Sequence, residues 1–304
     1  MGTLKGQNFR ICIYDATAAK YKVIGMATGC TVTLTNNTDD ASHKDIVGAA
    51  SMPTVTSKSW QVSCESLNVA DAAAMLTAIK SMQPMTLMWD ETSTTDNQTG
   101  LGAAFARTGQ AYLNDATFTW NDRANSTKSL QFTGTGPLTK VTNPTTDVIT
   151  VNNTFTKGQF VRLFVGSDNT AAPAKVVAAA RQLSLHISLS LESATTKDTD
   201  GDWDIQQPTG LSYDITSNAL MRSGDTITSS VGAQTVADIE DIYEGAVPVK
   251  WVIANVSGAN QRTKGAAIVS GSCVITSLVL NGPDRQNADY NATFNGYGPY
   301  SVGA

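Results

Sequence analysis

Leu183, Leu185, Ile187, Leu189 and Leu191 alternate with Ser184, His186, Ser188 and Ser190. A two-residue period places one set on each face of a strand, so this stretch predicts a β-strand with one buried and one wet face. Cys30, Val32 and Leu34 alternate in the same way with Thr31, Thr33 and Thr35. Each has a matching return strand. Trp60, Val62 and Cys64 point inward against Ser59, Gln61, Ser63 and Glu65, and Tyr213 and Ile215 against Ser212, Asp214 and Thr216. Between the arms lie polar excursions, 36–57 and 193–210, that are too long for tight hairpins.

Shorter patterns fill in the rest. Apolar runs at Gln7–Tyr14 and Gln159–Val165, each after a Lys-Gly pair, predict opening strands. Val69–Met82 has apolar residues at helical spacing, with Asp71 near its start where a carboxylate suits the helix dipole. Val236–Glu244 is a shorter counterpart. Strands are then predicted at Met85–Trp89, Gly102–Gly109, Tyr112–Trp120 and Ser129–Thr133, and again at Val249–Ile253, Gly265–Val269, Gly271–Leu280 and Asp289–Asn295.

The same order therefore occurs twice. Phe132-Thr133-Gly134-Thr135-Gly136-Pro137 reappears as Phe294-Asn295-Gly296-Tyr297-Gly298-Pro299, and Lys5-Gly6-Gln7 as Lys157-Gly158-Gln159, with Arg10 answered by Arg162. Lys44-Asp45 meets Lys197-Asp198, and Asp122-Arg123 meets Asp284-Arg285. Internal repetition at this scale indicates a tandem duplication. The expected organisation is a first domain over 1–140, a linker over 141–156 that has a strand near Asp147–Val151, and a second domain over 157–304. The second copy carries a polar insertion around Ser223–Thr235. The fold class is all-β with one flanking helix per domain.

Composition narrows the function. The chain has 304 residues, enough for two ordinary cores, and is rich in Thr, Ser and Gly. It has 11 basic and 12 acidic residues up to position 150, then 10 and 14, together the net charge of −5. Neither half has the basic excess of a nucleic-acid gripper. No apolar run reaches the length of a membrane span, and the N-terminus lacks the basic and apolar regions of a signal peptide. Position 6 is Gly, not Ser or Thr, which argues against myristoylation. Synthesis in a cytoplasm and no membrane partner are expected.

Candidate chemistry is sparse. His43 and His186 occupy non-equivalent places in the repeats and are not spaced for a metal or a nucleophile pair. The glycines of the repeated Phe-x-Gly-x-Gly-Pro motif precede no helix that could cradle a phosphate. Cys12, Cys30, Cys64 and Cys273 have no metal-ligand spacing and read as buried thiols. The acidic run Asp198, Asp200, Asp202 and Asp204 around Gly201 partly resembles a calcium loop, but the Gly is misplaced and Thr209 stands where the chelating Glu belongs. The alternative is a soluble acidic loop paired with lysines of a neighbouring subunit. No enzyme and no cofactor are expected.

An opening Lys-Gly strand, a long polar hairpin leading to Ser59-Trp60-Gln61-Val62-Ser63, a helix, a Gly-rich strand and the closing Phe-x-Gly-x-Gly-Pro together resemble the major tail tube proteins of long-tailed bacteriophages. The resemblance covers nearly the whole chain, twice. It implies two β-sandwich domains in tandem, of the kind whose six copies close a ring with a continuous inner barrel. Three duplicated chains then form a trimeric, pseudo-hexameric ring, and rings stack into the conduit for genome ejection. With four wall strands per domain, about 24 strands enclose a barrel roughly 37 Å across before tilt.

The resemblance implies lumen-facing residues Thr31, Thr33, Thr35, Ser59, Gln61, Ser63, Glu65, Ser184, His186, Ser188, Ser190, Ser212, Asp214 and Thr216, with Glu65 and Asp214 repelling DNA. It implies inter-ring loops carrying Lys44 and Asp45 in one copy and Asp198, Asp200, Asp202 and Asp204 in the other. Partners would be further copies of the chain, a tape-measure protein, tail tip and terminator proteins, and duplex DNA passing without specific binding. The location would be the virion tail. The inner tube of a contractile injection machine shares these features. A two-domain adhesin or virion decoration protein is the alternative from another class, with Trp203 as its exposed aromatic contact.

Overall fold

The computed structural model describes residues 6–45, 51–67, 72–91, 106–141, 148–149, 156–170, 172–198, 201–221, 233–257 and 263–303. The first half contains β1 (Phe9–Asp15), β2 (Lys20–Val23), β3 (Ala27–Asp40), β4 (Pro53–Ser66), helix α1 (Ala72–Ser81), β5 (Met85–Glu91), β6 (Arg107–Asn121) and β7 (Thr127–Lys140). A short β8 (Val148–Ile149) lies parallel to β2. The second half contains β9 (Val161–Val165), β10 (Lys175–Val177), β11 (Ala180–Ser193), β12 (Gln206–Leu220), β13 (Ala233–Gln234), helix α2 (Val236–Gly245), β14 (Val249–Ser257), β15 (Thr263–Asn281), β16 (Asp289–Gly296) and β17 (Ser301–Val302). The expected class holds: the fold is all-β, with a helix flanking each half.

The halves repeat in pairing register as well as in order. Cys30↔Cys64 in β3–β4 corresponds to Leu183↔Ser217 in β11–β12, and Thr117↔Ser129 in β6–β7 to Val279↔Asn291 in β15–β16. Even the irregularities coincide. Register slips fall at Ala27/Gly29 and Ala180/Gln182, at Asn37/Thr38 and Ser190/Leu191, and at Leu113/Asp115 and Ile275/Ser277. Left-handed backbone conformations pair up too: Met26 with Ala179, Met82 with Ala246, Arg123 with Arg285, and Gly136 with Gly298. An extra residue in one strand re-aims everything after it, so shared bulges keep equivalent side chains on equivalent faces.

Several expected boundaries move. The separate strands predicted at Gly102–Gly109 and Tyr112–Trp120 are one strand from Arg107 onward, with 101–105 outside the described residues. Likewise Gly265–Val269 and Gly271–Leu280 are one strand, β15. A register slip beside each junction, at Thr108/Gln110 and opposite Ile253/Ala254, is absorbed without ending the strand. The early part of β6 pairs with β5 and its later part with β11, so one strand serves two sheet layers. The polar excursions are also shorter than expected, because the strand arms run on to Asp40 and Ser193 and resume at Pro53 and Gln206. Most of the Ser223–Thr235 insertion, and Asp71, lie outside the described residues.

In the first half, β2–β1–β5–β6 faces β6–β7–β4–β3 across a core that includes Ile11, Leu87, Val62, Phe118 and Phe132. Each such side chain contributes about 1.5–3 kcal/mol by leaving water. Helix α1 adds Ala72, Met75, Leu76 and Ile79, an i, i+3, i+4, i+7 stripe on one face. In the second half α2 is capped at its start: the Thr235 hydroxyl accepts from the Asp238 amide, while the Asp238 carboxylate accepts from the Thr235 amide.

The repeated Phe-x-Gly-x-Gly-Pro motif has a packing reason. A methyl group built on Gly134 would overlap the Trp60 indole, and one on Gly296 would overlap the Tyr213 ring. Trp60 and Tyr213 are themselves equivalent positions. The second glycine of each motif, Gly136 and Gly298, has φ +74°, which only glycine adopts without strain. The motif thus seats an aromatic ring and then turns the chain.

A polar sheet face and the seam within it

Strands β6 and β11 belong to different halves, yet they pair antiparallel from Gln182↔Asn121 to Ser188↔Asp115. This seam fuses the two outer layers into one antiparallel sheet with the order β3–β4–β7–β6–β11–β12–β16–β15. Each half supplies four of its strands. At the seam, Leu183, Leu185 and Ile187 meet Trp120, Phe118 and Ala116, all buried. Gly158 presses against the backbone of Trp120 and Asn121 where the second half begins, with no room for a larger residue. Far from the seam, the Tyr300 hydroxyl donates to the Leu76 carbonyl at 2.7 Å and ties the end of the chain to α1.

The other face of this sheet is mainly polar, with Val274 and Val279 on the β15 edge as apolar exceptions. Directly opposed residues form rows that cross the seam without interruption. One runs Thr31, Ser63, Gln131, Asp115, Ser188, Ser212. A second runs Glu65, Ser129, Thr117, His186, Asp214, Asn295. A third runs Thr127, Thr119, Ser184, Thr216, Thr293, Ser277. These rows contain no Lys or Arg. Lys128, the cation on β7 beside them, is turned inward and is 2% exposed.

All fourteen residues expected from the alternation on β3, β4, β11 and β12 lie on this face, and none is buried. The residues missed are those of β6, β7, β15 and β16. Their signal was present: Thr117 and Thr119 alternate with Phe118 and Trp120, Ser129 and Gln131 with Lys128 and Leu130, and Asn291 and Thr293 with Tyr290 and Ala292. What the alternation alone lacked was the order in which these strands sit side by side.

One group of charges sits at the seam. His186 Nε2 lies 2.8 Å from Asp115 Oδ2 across the seam, and His186 Nδ1 lies 2.8 Å from Asp214 Oδ1 on β12. Burial works against a charged imidazole here, but the two carboxylates outweigh it and hold the His186 pKa above its ordinary value. Asp214 was expected to repel DNA. Its carboxylate is instead bound to His186, which leaves the exposed Glu65 as the anion of these rows outside that cluster.

The acidic loop of the second half is also engaged within the chain. Asp202 pairs with Lys58 Nζ at 3.0 Å, the Asp204 amide donates to the Lys58 carbonyl at 2.9 Å, and the Gly136 amide donates to the Asp204 carbonyl at 2.9 Å. Lys58 of the same chain thus supplies a counter-charge to Asp202. Asp198 is exposed and Asp200 lies outside the described residues. Trp203, expected as an exposed ligand contact, is half-buried against the core. Lys44 and Asp45 are exposed beyond the end of β3.

No family model matches the chain, and no curated protein matches it. Among solved structures, it is similar to the tail of an empty gene transfer agent particle refined with helical C6 symmetry. That match has TM-score 0.37 and 16% identity over 48% of this chain and 95% of the other. It is also similar to a chain in the virion of a native gene transfer agent particle, with TM-score 0.36 and 15% identity over 49% of this chain and 99% of the other. A third similarity is to the SPP1 tail tube determined by solid-state NMR and cryo-EM, with TM-score 0.33 and 16% identity over 48% of this chain and 77% of the other.

Proposed function

We propose that this chain is a structural, non-catalytic subunit of a phage-type tail tube, three copies of which close a pseudo-hexameric ring. The supporting observation is the eight-stranded sheet that runs unbroken through both halves, with one face buried through its central strands and the other mainly polar, its rows holding no Lys or Arg. A wall of hydroxyls and amides hydrates well, yet it offers no cationic row to hold phosphates by counterion release. Three chains bring about 24 strands, and at roughly 4.8 Å each the closed wall is about 37 Å across before tilt, wide enough for duplex DNA. Closure also removes the two free edges that an isolated eight-stranded sheet would expose. In this reading stacked rings enclose a tape-measure protein and end on tip and terminator proteins, and the wall face looks into the lumen.

The test is electron microscopy of the purified protein at rising concentration, with end-on views averaged. Rings or hollow tubes built of three chains are expected. Compact single particles at every concentration, and the chain present as a monomer in virions, would overturn the reading.

A further inference from the structure

The internal seam has a counterpart that the single chain cannot complete. By the repeated register, β3 corresponds to β11 and β15 to β6, and both are the outer strands of the eight-stranded sheet. Side chains covered at the internal seam are exposed at these two edges. Ile187 and Phe118 are fully buried, whereas the equivalent Leu34 and Leu280 are 62% and 47% exposed. Gly158 is pressed against a neighbouring backbone, whereas the equivalent Gly6 has nothing within 4 Å. Lys58 and Gly136 hold the Asp204 backbone, whereas the equivalent Leu211 and Gly298 line an open groove.

We infer that β15 of one chain pairs with β3 of a second copy in the register of the internal seam, and that the second copy's Ser51–Pro53 segment seats in the Leu211–Gly298 groove. This rests on the ring reading and specifies its joint. Transferring the register sets Thr31 opposite Asn281, Val32 opposite Leu280, Thr33 opposite Val279, Leu34 opposite Leu278 and Thr35 opposite Ser277. Ser51 stands where Asp204 stands internally, so its amide donates to the Leu211 carbonyl and its carbonyl accepts from the Gly298 amide.

A coupled exchange supports the same partner. At the internal dock the Gln206 amide donates to the Thr135 hydroxyl at 3.0 Å. The equivalent positions are Pro53, which has no amide hydrogen, and Tyr297, which is 55% exposed. The hydrogen bond is lost from both sides at once, and a proline ring facing an aromatic ring replaces it. The joint between copies is also more apolar than the internal one. Asp115, His186 and Asp214 are replaced there by Ser277, Thr33 and Gln61.

The test uses Leu34→Asp and Leu280→Asp, both at exposed positions that leave folding intact, followed by sedimentation velocity. Each variant alone is expected to stay monomeric to about 100-fold higher concentration than the natural chain, because an unpaired carboxylate must be buried at the joint. Mixed in equal amounts they should form a heterodimer and stop, since each keeps one intact edge. Gly6→Ala should melt like the natural chain yet assemble poorly.

Assembly of either Asp variant at natural concentrations, or a mixture that stays monomeric or grows beyond a dimer, would overturn this joint while leaving rings possible. A natural chain that never assembles would instead remove the ring reading beneath it.

Discussion

His186 and Asp115 meet at 2.8 Å although 71 positions of sequence separate them, one on each side of the seam between β11 and β6. The native environment raises the His186 pKa, so its contribution to stability is fully present below about pH 6.5 and fades as the pH climbs through the raised native value. About a third of the imidazole meets solvent, which limits the contribution to roughly 1 kcal/mol or less. Denaturant unfolding between pH 5.5 and 9 should show this loss in the natural chain. His186→Asn should flatten it, and an unchanged profile in the variant would refute the assignment.

The two motif glycines should respond differently to alanine. Gly134→Ala and Gly296→Ala drive a methyl into the Trp60 and Tyr213 rings, and a loss of about 3 kcal/mol or outright failure to fold is expected. Gly136→Ala and Gly298→Ala meet no neighbour and carry only backbone strain, about 1–2 kcal/mol. Thermal melting of the four variants would expose the contrast. Equal losses at all four would mean that ring contact is not what selects the first glycine.

Arg10 and Asp90 form a bidentate pair across β1 and β5, with distances of 2.6 and 2.8 Å, and both are buried. Asp90→Ala removes the carboxylate and leaves a buried guanidinium without it, so about 3–5 kcal/mol of stability should go. In the second half Arg162 stands opposite Ala254, the position equivalent to Asp90. Asp90→Asn, which keeps the shape and removes the charge, should recover only part of that loss in urea titration. An Asp90→Ala chain as stable as the natural one would refute the assignment.

The four thiols should separate by reactivity. Burial raises Cys12 far above the ordinary thiol range and pushes Cys273 up to about 12. Cys30 is half-exposed and is lowered by its hydrogen bond with Cys64, whose sulfur lies 2.7 Å away, although burial opposes the shift. Thiolate is the reactive form, so iodoacetamide should modify Cys30 first and spare Cys12 and Cys273. Peptide mass spectrometry of the native protein checks this. Comparable labelling of Cys12 would contradict it.

Local pattern made the strands and their wet faces readable, because Ser184 to Ser190 and Thr31 to Thr35 carry a strict two-residue period. The seam left no such mark. That Ser188 sits opposite Asp115 depends on how two distant segments dock, and a period within either segment is silent about its neighbour. For the same reason His186 read as an ordinary outward residue, since neither of its carboxylates is close in sequence. Gly134 was visible as part of a repeat but not as a ring seat, because Trp60 lies far upstream. The acidic loop misled for a related reason: its four aspartates stand out locally, whereas Lys58, which binds one of them, belongs to the other half.

The covalent link between the halves means that β6 and β11 encounter each other at an effective concentration in the millimolar range, however dilute the protein. A joint formed under that condition can rely on polar groups such as His186 and Asp115 and still stay closed. In the proposed ring the outer edges have no tether and would meet only as often as separate molecules do, so they must recover the lost freedom of association from their own contacts. Leu34, Val279, Leu280 and Tyr297, all exposed in the single chain, fall on the β3 edge or along the β15 side of the sheet. In that arrangement the tethered joint is free to be weak and tunable, and the apolar side chains gather at the untethered one.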